Sequence, residues 1–208
     1  IPIVAKMTPN ITDITVPAMY AKQGGADGIA AINSVAGLSG IGADDWVPKP
    51  NVFGKGAACG FTGPAIKPIG LRCISELAKS KELQLPLSGI GGIETWGDAL
   101  EYLLVGATTI QVTTGIIHYG QGIVESMIEG LSDYMAGKGI PSVRDLVGKA
   151  LPNLQTTHDF DLSRQGIAQY DLSRCIGCGQ CYTVCKDAGG WALEWDAQKR
   201  RPVLDEKK

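Results

Sequence analysis

The segment Leu85–Thr114 reads LPLSGIGGIETWGDALEYLLVGATTIQVTT, and it decides the fold. Leu85–Ser88 is a short apolar run bounded by turn residues, which is how a buried strand reads. Gly91 and Gly92 then turn the chain. Thr95 stands where an N-cap belongs, and Leu100, Leu103 and Leu104 follow on one helical face to about residue 104. A second strand-like run, Thr108–Val112, comes next. Strand, tight turn, helix and strand in immediate succession is a βα repeat, and such repeats imply parallel strands with helical crossovers.

The pattern extends in both directions. Upstream, Ile1–Lys6 is a first strand, and Thr12 or Asp13 can cap a helix to about Gln23, ended by Gly24 and Gly25. Asp27–Ile32 is a second strand. Residues 33–64 are Gly- and Pro-rich without periodicity, as expected of a long binding loop. A helix from about Pro64 to Lys81 carries Ile66, Ile69, Ile74, Leu77 and Ala78 on one face. Downstream, Ile123–Met135 is amphipathic, and Ser142 caps one more helix to about Gly148. Four βα units make either half of an eight-fold barrel or a small doubly wound sheet. The expected division is a barrel portion over 1–151, a polar linker over 152–170 and a cysteine-bearing segment over 171–208.

Composition narrows the function classes. The 208 residues include 28 glycines, aromatics are 6% and the net charge is −2. Many glycines with few aromatics suit an α/β enzyme with tight βα turns. No basic stripe gives a nucleic-acid footprint. The most apolar stretch, Tyr102–Ile117, is interrupted by Gly106, Thr108, Thr109, Gln111, Thr113 and Thr114, so no membrane span is expected. Lys6 comes too early for a signal peptide, and a cytoplasmic protein is the simplest expectation. Ile1 opens the chain inside a strand-like run, so further residues are expected upstream.

Cys175, Cys178, Cys181 and Cys185 form CxxCxxCxxxC, the bacterial ferredoxin spacing for a [4Fe–4S] cluster. Gly177 and Gly179 supply the backbone freedom such a loop needs, and Ile176 and Val184 suit the surroundings of a buried cluster. Zinc sites normally leave a longer gap between cysteine pairs, and disulfides do not suit a cytosolic setting. In two-cluster ferredoxins the fourth cysteine of the run serves the other cluster. Cys185 would then need three further cysteines, which the chain does not have after it, and Lys186 stands where proline is expected. The motif therefore reads as half of a two-cluster module. Cys59 and Cys73 read as ordinary loop or core residues.

Active sites of βα barrels lie at the C-terminal ends of the strands. Lys6 ends the first strand, Asn33 and Ser34 the second, Gly91 and Gly92 follow the third, and Thr113 and Thr114 the fourth. The last two loops are where barrels grip phosphate, and Gly115–Gly120 fits the short extra helix found there. Taken singly, Lys6 reads as a solvated charge, Asn33 as a turn residue, Gly91-Gly92 as a plain turn and His118 as a surface residue. Trp46, Trp191 and Trp195 read as structural.

Six strings carry a resemblance: IPIVAKMTPNITDI (1–14), GGADGIAAINSVAGLSGI (24–41), GPAIKPI (63–69), GIGGI (89–93), TTIQVTTGI (108–116) and CIGCGQCYTVCKDAGGWALEWDAQKRRPVLDE (175–206). Together, in this order, they resemble the dihydropyrimidine dehydrogenase family. The resemblance implies the C-terminal half of a dihydroorotate-dehydrogenase-like TIM barrel, followed by the first part of a two-[4Fe–4S] ferredoxin-like domain. It implies FMN and [4Fe–4S] clusters as cofactors, and reduction of the 5,6 double bond of uracil or thymine. Electrons would come from a flavin-containing subunit or domain that oxidises NADH or NADPH.

By the same resemblance Lys6, Gly63, Ile90, Gly91, Gly92, Thr113 and Thr114 would bind FMN. Asn33 and Ser34 would bind the pyrimidine, and Cys175, Cys178, Cys181 and Cys185 the iron. Ser34 replaces the family's threonine, and Thr113-Thr114 replaces a frequent Cys-Ser or Cys-Thr pair. The family's general acid is a loop cysteine upstream of the matched region, so no catalytic acid is expected in this chain, and the chain by itself should lack turnover. Open sheet edges of a half barrel favour association. Two rival readings are a dihydroorotate-type dehydrogenase with a ferredoxin module and a non-catalytic electron-transfer module.

Overall fold

In the computed structural model, residues 1–161, 163 and 169–205 are described. Part of the expected linker (162 and 164–168) and the last three residues of the cysteine-bearing segment lie outside the described residues. The chain divides into two compact units, Ile1–Gln155 and Thr156–Lys208.

The first unit is built on four parallel strands: β1 (Val4–Met7), β2 (Gly28–Ala31), β5 (Leu87–Ile90) and β6 (Thr109–Gln111). They lie side by side in the order β1-β2-β5-β6, with Lys6 opposite Ala30, Ala30 opposite Ser88, and Ser88 opposite Thr109. The order follows the chain without reversal. A doubly wound sheet would reverse at a switch point, whereas a barrel segment does not. The two central strands are buried along their whole length, and both outer strands are partly exposed. Burial on both faces is why Leu87–Ile90, with Ser88 and Gly89 as buried as its ends, shows no alternation of apolar and polar residues.

Helices α1 (Thr15–Gln23), α2 (Lys67–Lys79) and α3 (Trp96–Leu104) follow successive strands. One core cluster joins Ile14, Ala18, Ile29, Ile32, Cys73, Ile74, Leu77, Leu87 and Tyr102. Each fully buried Ile or Leu here contributes about 1.5–3 kcal/mol. Burial pushes the Cys73 thiol pKa up, which keeps it a neutral packing group. Helix α3 begins on a capping box: Asp98 N–H donates to Thr95 Oγ1 at 3.2 Å, and Thr95 N–H to Asp98 Oδ2 at 2.8 Å. Helices α4 (Thr114–Tyr119) and α5 (Ile123–Lys138) complete the unit, with Trp96 of α3 against Tyr134 of α5 at 5.6 Å between ring centroids.

Three local expectations differ from the structure. The stretch 33–64 is not a plain loop; it holds an antiparallel pair, β3 (Val35–Gly37) and β4 (Cys59–Phe61). Strands of three residues are too short for a period to be read. Ser142 caps a 3-10 turn, Val143–Leu146, in place of an α-helix, and Leu146 is buried against Leu100 and Leu103. Trp46 is not a packing residue, since it is largely exposed. Among the described residues, no helix is long and apolar enough to cross a membrane.

In the second unit, helix α6 (Gln180–Asp187) is followed by a hairpin of β7 (Leu193–Asp196) and β8 (Arg201–Leu204). Leu193 is buried there, and the Tyr182 and Trp195 rings lie 6.3 Å apart.

Candidate active site

A cleft of about 230 Å³ opens at the C-terminal ends of β1, β2, β5 and β6. Its lining includes Lys6, Asn33, Ser34, Gly63, Ile90, Gly91, Gly92, Thr113 and Thr114. All the residues expected to hold the cofactor or substrate therefore come together from five separate stretches of chain. Their convergence follows from the topology, because parallel strands deliver every βα loop to one face.

Lys6 is exposed at the end of β1, and its ammonium has no ion-pair or hydrogen-bond partner among the described residues. The Asn33 side chain accepts from Ser34 N–H at 2.9 Å, and Asn33 N–H donates to Met7 O at 2.9 Å. Asn10 fixes this loop from outside: its amide donates to Ser34 O at 3.1 Å and accepts from Ala36 N–H at 2.8 Å. That role was not foreseen from sequence, although Asn10 lies within the first quoted string.

Gly91 and Gly92 have φ of 129° and 71°, a region side chains disfavour. A Cβ on Gly92 would sit 2.8 Å from both Gly63 O and Lys67 Cβ. The turn is thus a tight cradle that only glycine fits. Thr113 makes no side-chain cap to α4, and the first N–H groups of a helix have no partner within it. A phosphate monoester fits such a set of donors, and the unpaired Lys6 ammonium suits an electron-rich ring. On these grounds the residues fit FMN.

Sequence reading missed several lining residues, among them Glu94 and Gln111. Gln111 Nε2 donates to the buried Ser88 Oγ at 2.7 Å. Glu94 lies 3.0 Å from His118 Nδ1 and accepts from Tyr119 Oη at 3.3 Å, which joins the β5–α3 loop to α4. His118 is a surface residue, as expected, and one that partners Glu94. Beneath the cradle, Lys67 Nζ contacts Asp98 Oδ1 at 2.6 Å and Glu101 Oε2 at 2.8 Å, and those bonds raise its pKa. Burial works to raise the Asp98 pKa. Hydrogen bonds from Lys67, Glu94 N–H and Thr95 outweigh it and hold the carboxyl below its ordinary value.

In the second unit, Cys175 and Cys178 lie on the loop before α6, and Cys181 and Cys185 lie one turn apart on the helix. All four are free thiols. Gly177 and Gly179 adopt φ of 69° and 78°, as the motif requires. Arg200 holds the loop by donating from Nη2 to Gly177 O at 3.3 Å. Among the described residues no three His, Cys, Asp or Glu side chains form a group that could hold a metal ion. In a cubane each thiolate binds its own iron, so the sulfurs need not converge on one point, and the donor set suits iron–sulfur ligation. Ile176 and Val184 do not shield the loop; they are 86% and 67% exposed, because one helix and one hairpin are too little to enclose it.

Comparison with known proteins matches both parts of the chain to family models. The family model described as "Dihydroorotate dehydrogenase" matches residues 1–135, and "4Fe-4S binding domain" matches residues 167–190. The chain is 48% identical, over 97% of its length and 49% of the relative's, to the NAD-dependent dihydropyrimidine dehydrogenase subunit PreA of Escherichia coli. It is 38% identical to the chloroplastic dihydropyrimidine dehydrogenase (NADP(+)) of Arabidopsis thaliana, over 79% of this chain and 39% of the relative. Dihydroorotate dehydrogenase B (NAD(+)), catalytic subunit, of Pyrococcus horikoshii is 41% identical over 72% of this chain and 47% of the relative. The chain spans about half the length of the curated relatives it matches. With its consecutive parallel strands, its cleft at their tips and a match over residues 1–135, the chain belongs to the dihydroorotate dehydrogenase family, and carries a 4Fe-4S binding segment later in the sequence.

Proposed function

We propose that this chain is part of a dihydropyrimidine dehydrogenase acting on uracil or thymine with FMN and [4Fe–4S] clusters, and that it contributes some of the cofactor and substrate contacts. The observation that carries the reading is the single cleft lined by Lys6, Asn33, Ser34, Gly63, the Ile90–Gly92 turn and the Thr113–Thr114 pair. FMN, when bound, supplies hydride chemistry toward a carbon–carbon double bond. The chain's own residues bind and orient. Gly92, Thr113 and Thr114 offer N–H and hydroxyl donors to a phosphate. Lys6 brings positive charge to the end of β1, where negative charge on a reduced ring would be stabilised. The amide of Asn33 and the hydroxyl of Ser34 match the alternating C=O and N–H edge of a pyrimidine.

The proton that completes the reduction has no donor assigned in this chain; by family resemblance it comes from a loop cysteine upstream. Cys175, Cys178 and Cys181 would hold a [4Fe–4S] cluster that brings electrons in from a partner that oxidises NADH or NADPH. The 208-residue chain by itself is then without turnover. The test is uracil-dependent NAD(P)H oxidation by the protein as its gene encodes it, with its redox partner. Activity on uracil or thymine supports the proposal. Activity on dihydroorotate alone would favour the second reading, for which the 41% identity to the archaeal catalytic subunit speaks.

A further inference from the structure

Tyr102 has a role that the binding residues do not explain. It belongs to α3, on the outer layer, and its ring is 0% exposed. Its hydroxyl reaches past β5 and donates to Gly91 O at 2.8 Å. Two glycines clear the path: a Cβ on Gly70 of α2 would overlap the hydroxyl, and one on Gly89 of β5 would press on the ring. The side chain thus fills a slot whose open end is the turn that floors the cleft.

The consequence follows from peptide geometry. In a planar trans peptide the C=O and the following N–H point in opposite directions. Tyr102 holds the Gly91 carbonyl toward the helical layer, so the N–H of Gly92 is turned the other way, toward the cleft that Gly92 lines. That N–H has no hydrogen-bond partner among the described residues. A buried hydroxyl bonded to this one carbonyl fixes the direction of a free donor.

We infer that Tyr102 is a positioning residue for phosphate recognition: it locks the Gly91–Gly92 peptide with its N–H presented to the cofactor's phosphate. The inference rests on the reading of the cleft as an FMN site. Tyr102→Phe keeps the ring that fills the glycine-lined slot and removes only the hydroxyl.

The test uses the protein as its gene encodes it, stripped of flavin and titrated with two probes, FMN and riboflavin, which lacks the phosphate. Tyr102→Phe should weaken FMN binding by about five- to tenfold, the worth of one oriented hydrogen bond to an anion, and leave riboflavin binding unchanged. Leu100→Val, a core change on the same helix away from the turn, should leave both unchanged. Unaltered FMN affinity in Tyr102→Phe, or an equal loss for both flavins, would overturn the inference while the flavin site stands. Wild-type protein that binds neither flavin would overturn the cofactor reading as well.

Discussion

At the scale of single residues, the cleft separates charge from shape. Lys6 carries charge and has no partner among the described residues, so on the proposed function its substitution should cost little folding energy and much chemistry. Lys6→Gln should lower pyrimidine turnover by about 10²-fold, the usual cost of removing one preorganised stabilising group, with iron and flavin content retained; steady-state rates alongside cofactor analysis check it. Gly92 supplies shape. Gly92→Ala meets both a positive φ of 71° and the 2.8 Å approach of Gly63 O. It should cost about 1–3 kcal/mol of stability and release flavin, read by thermal melting and by absorbance after gel filtration. The places of Lys6 and Gly92 in the cleft were legible in the sequence because each sits at a strand end or in a βα turn. Tyr102, Asn10 and Glu94 were not. Their roles depend on contacts across the sheet or between loops, and nothing in their local spacing distinguishes a tyrosine that reaches a turn from one that only fills a core.

At the scale of elements, α3 links fold and site, since its capping box and the Lys67 ion pair share Asp98. The folded Asp98 carboxyl titrates below its ordinary 3.8, so its contribution is present above that value and lost as pH falls through the folded one. The melting temperature should therefore drop as pH is lowered below about 4, and Asp98→Asn should flatten that drop. Thr95→Ala removes the reciprocal cap and should cost about 1 kcal/mol, which calorimetry at neutral pH measures. The βα elements could be read in advance because strand runs such as Gly28–Ala31 carry no charged residue and are bounded by turn residues, and their helices carry one-sided stripes. The β3–β4 pair escaped notice because each strand has three residues and is held by a partner 22 or more positions away, as Gly37 and Cys59 are. The turn after Ser142 was misjudged for a related reason: Val147 turns to extended backbone, and Gly148 and Ala150 donate to Leu103 O and Leu104 O on α3 in place of continuing the helix.

At the scale of the whole molecule, the chain joins a flavin-type cleft to an iron–sulfur segment, and each can be broken separately. Cys181→Ser should remove iron and sulfide and abolish NAD(P)H-dependent turnover while leaving flavin bound, as metal analysis and visible spectra would establish. Successive βα units left a half barrel and a doubly wound sheet both open until the strand order separated them, and the cysteine spacing made the 4Fe-4S binding segment foreseeable. The exposure of Ile176 and Val184 was not foreseeable, because enclosure depends on how many elements surround a loop. The central claim is that the strand-tip cleft passes electrons from a reduced flavin to a pyrimidine ring. It is tested most directly by reducing the protein encoded by the gene with dithionite, without air, and then adding uracil. The account predicts that the bleached flavin band returns as dihydrouracil forms. A band that stays bleached with uracil and thymine, or the lack of any flavin band at the start, would contradict it.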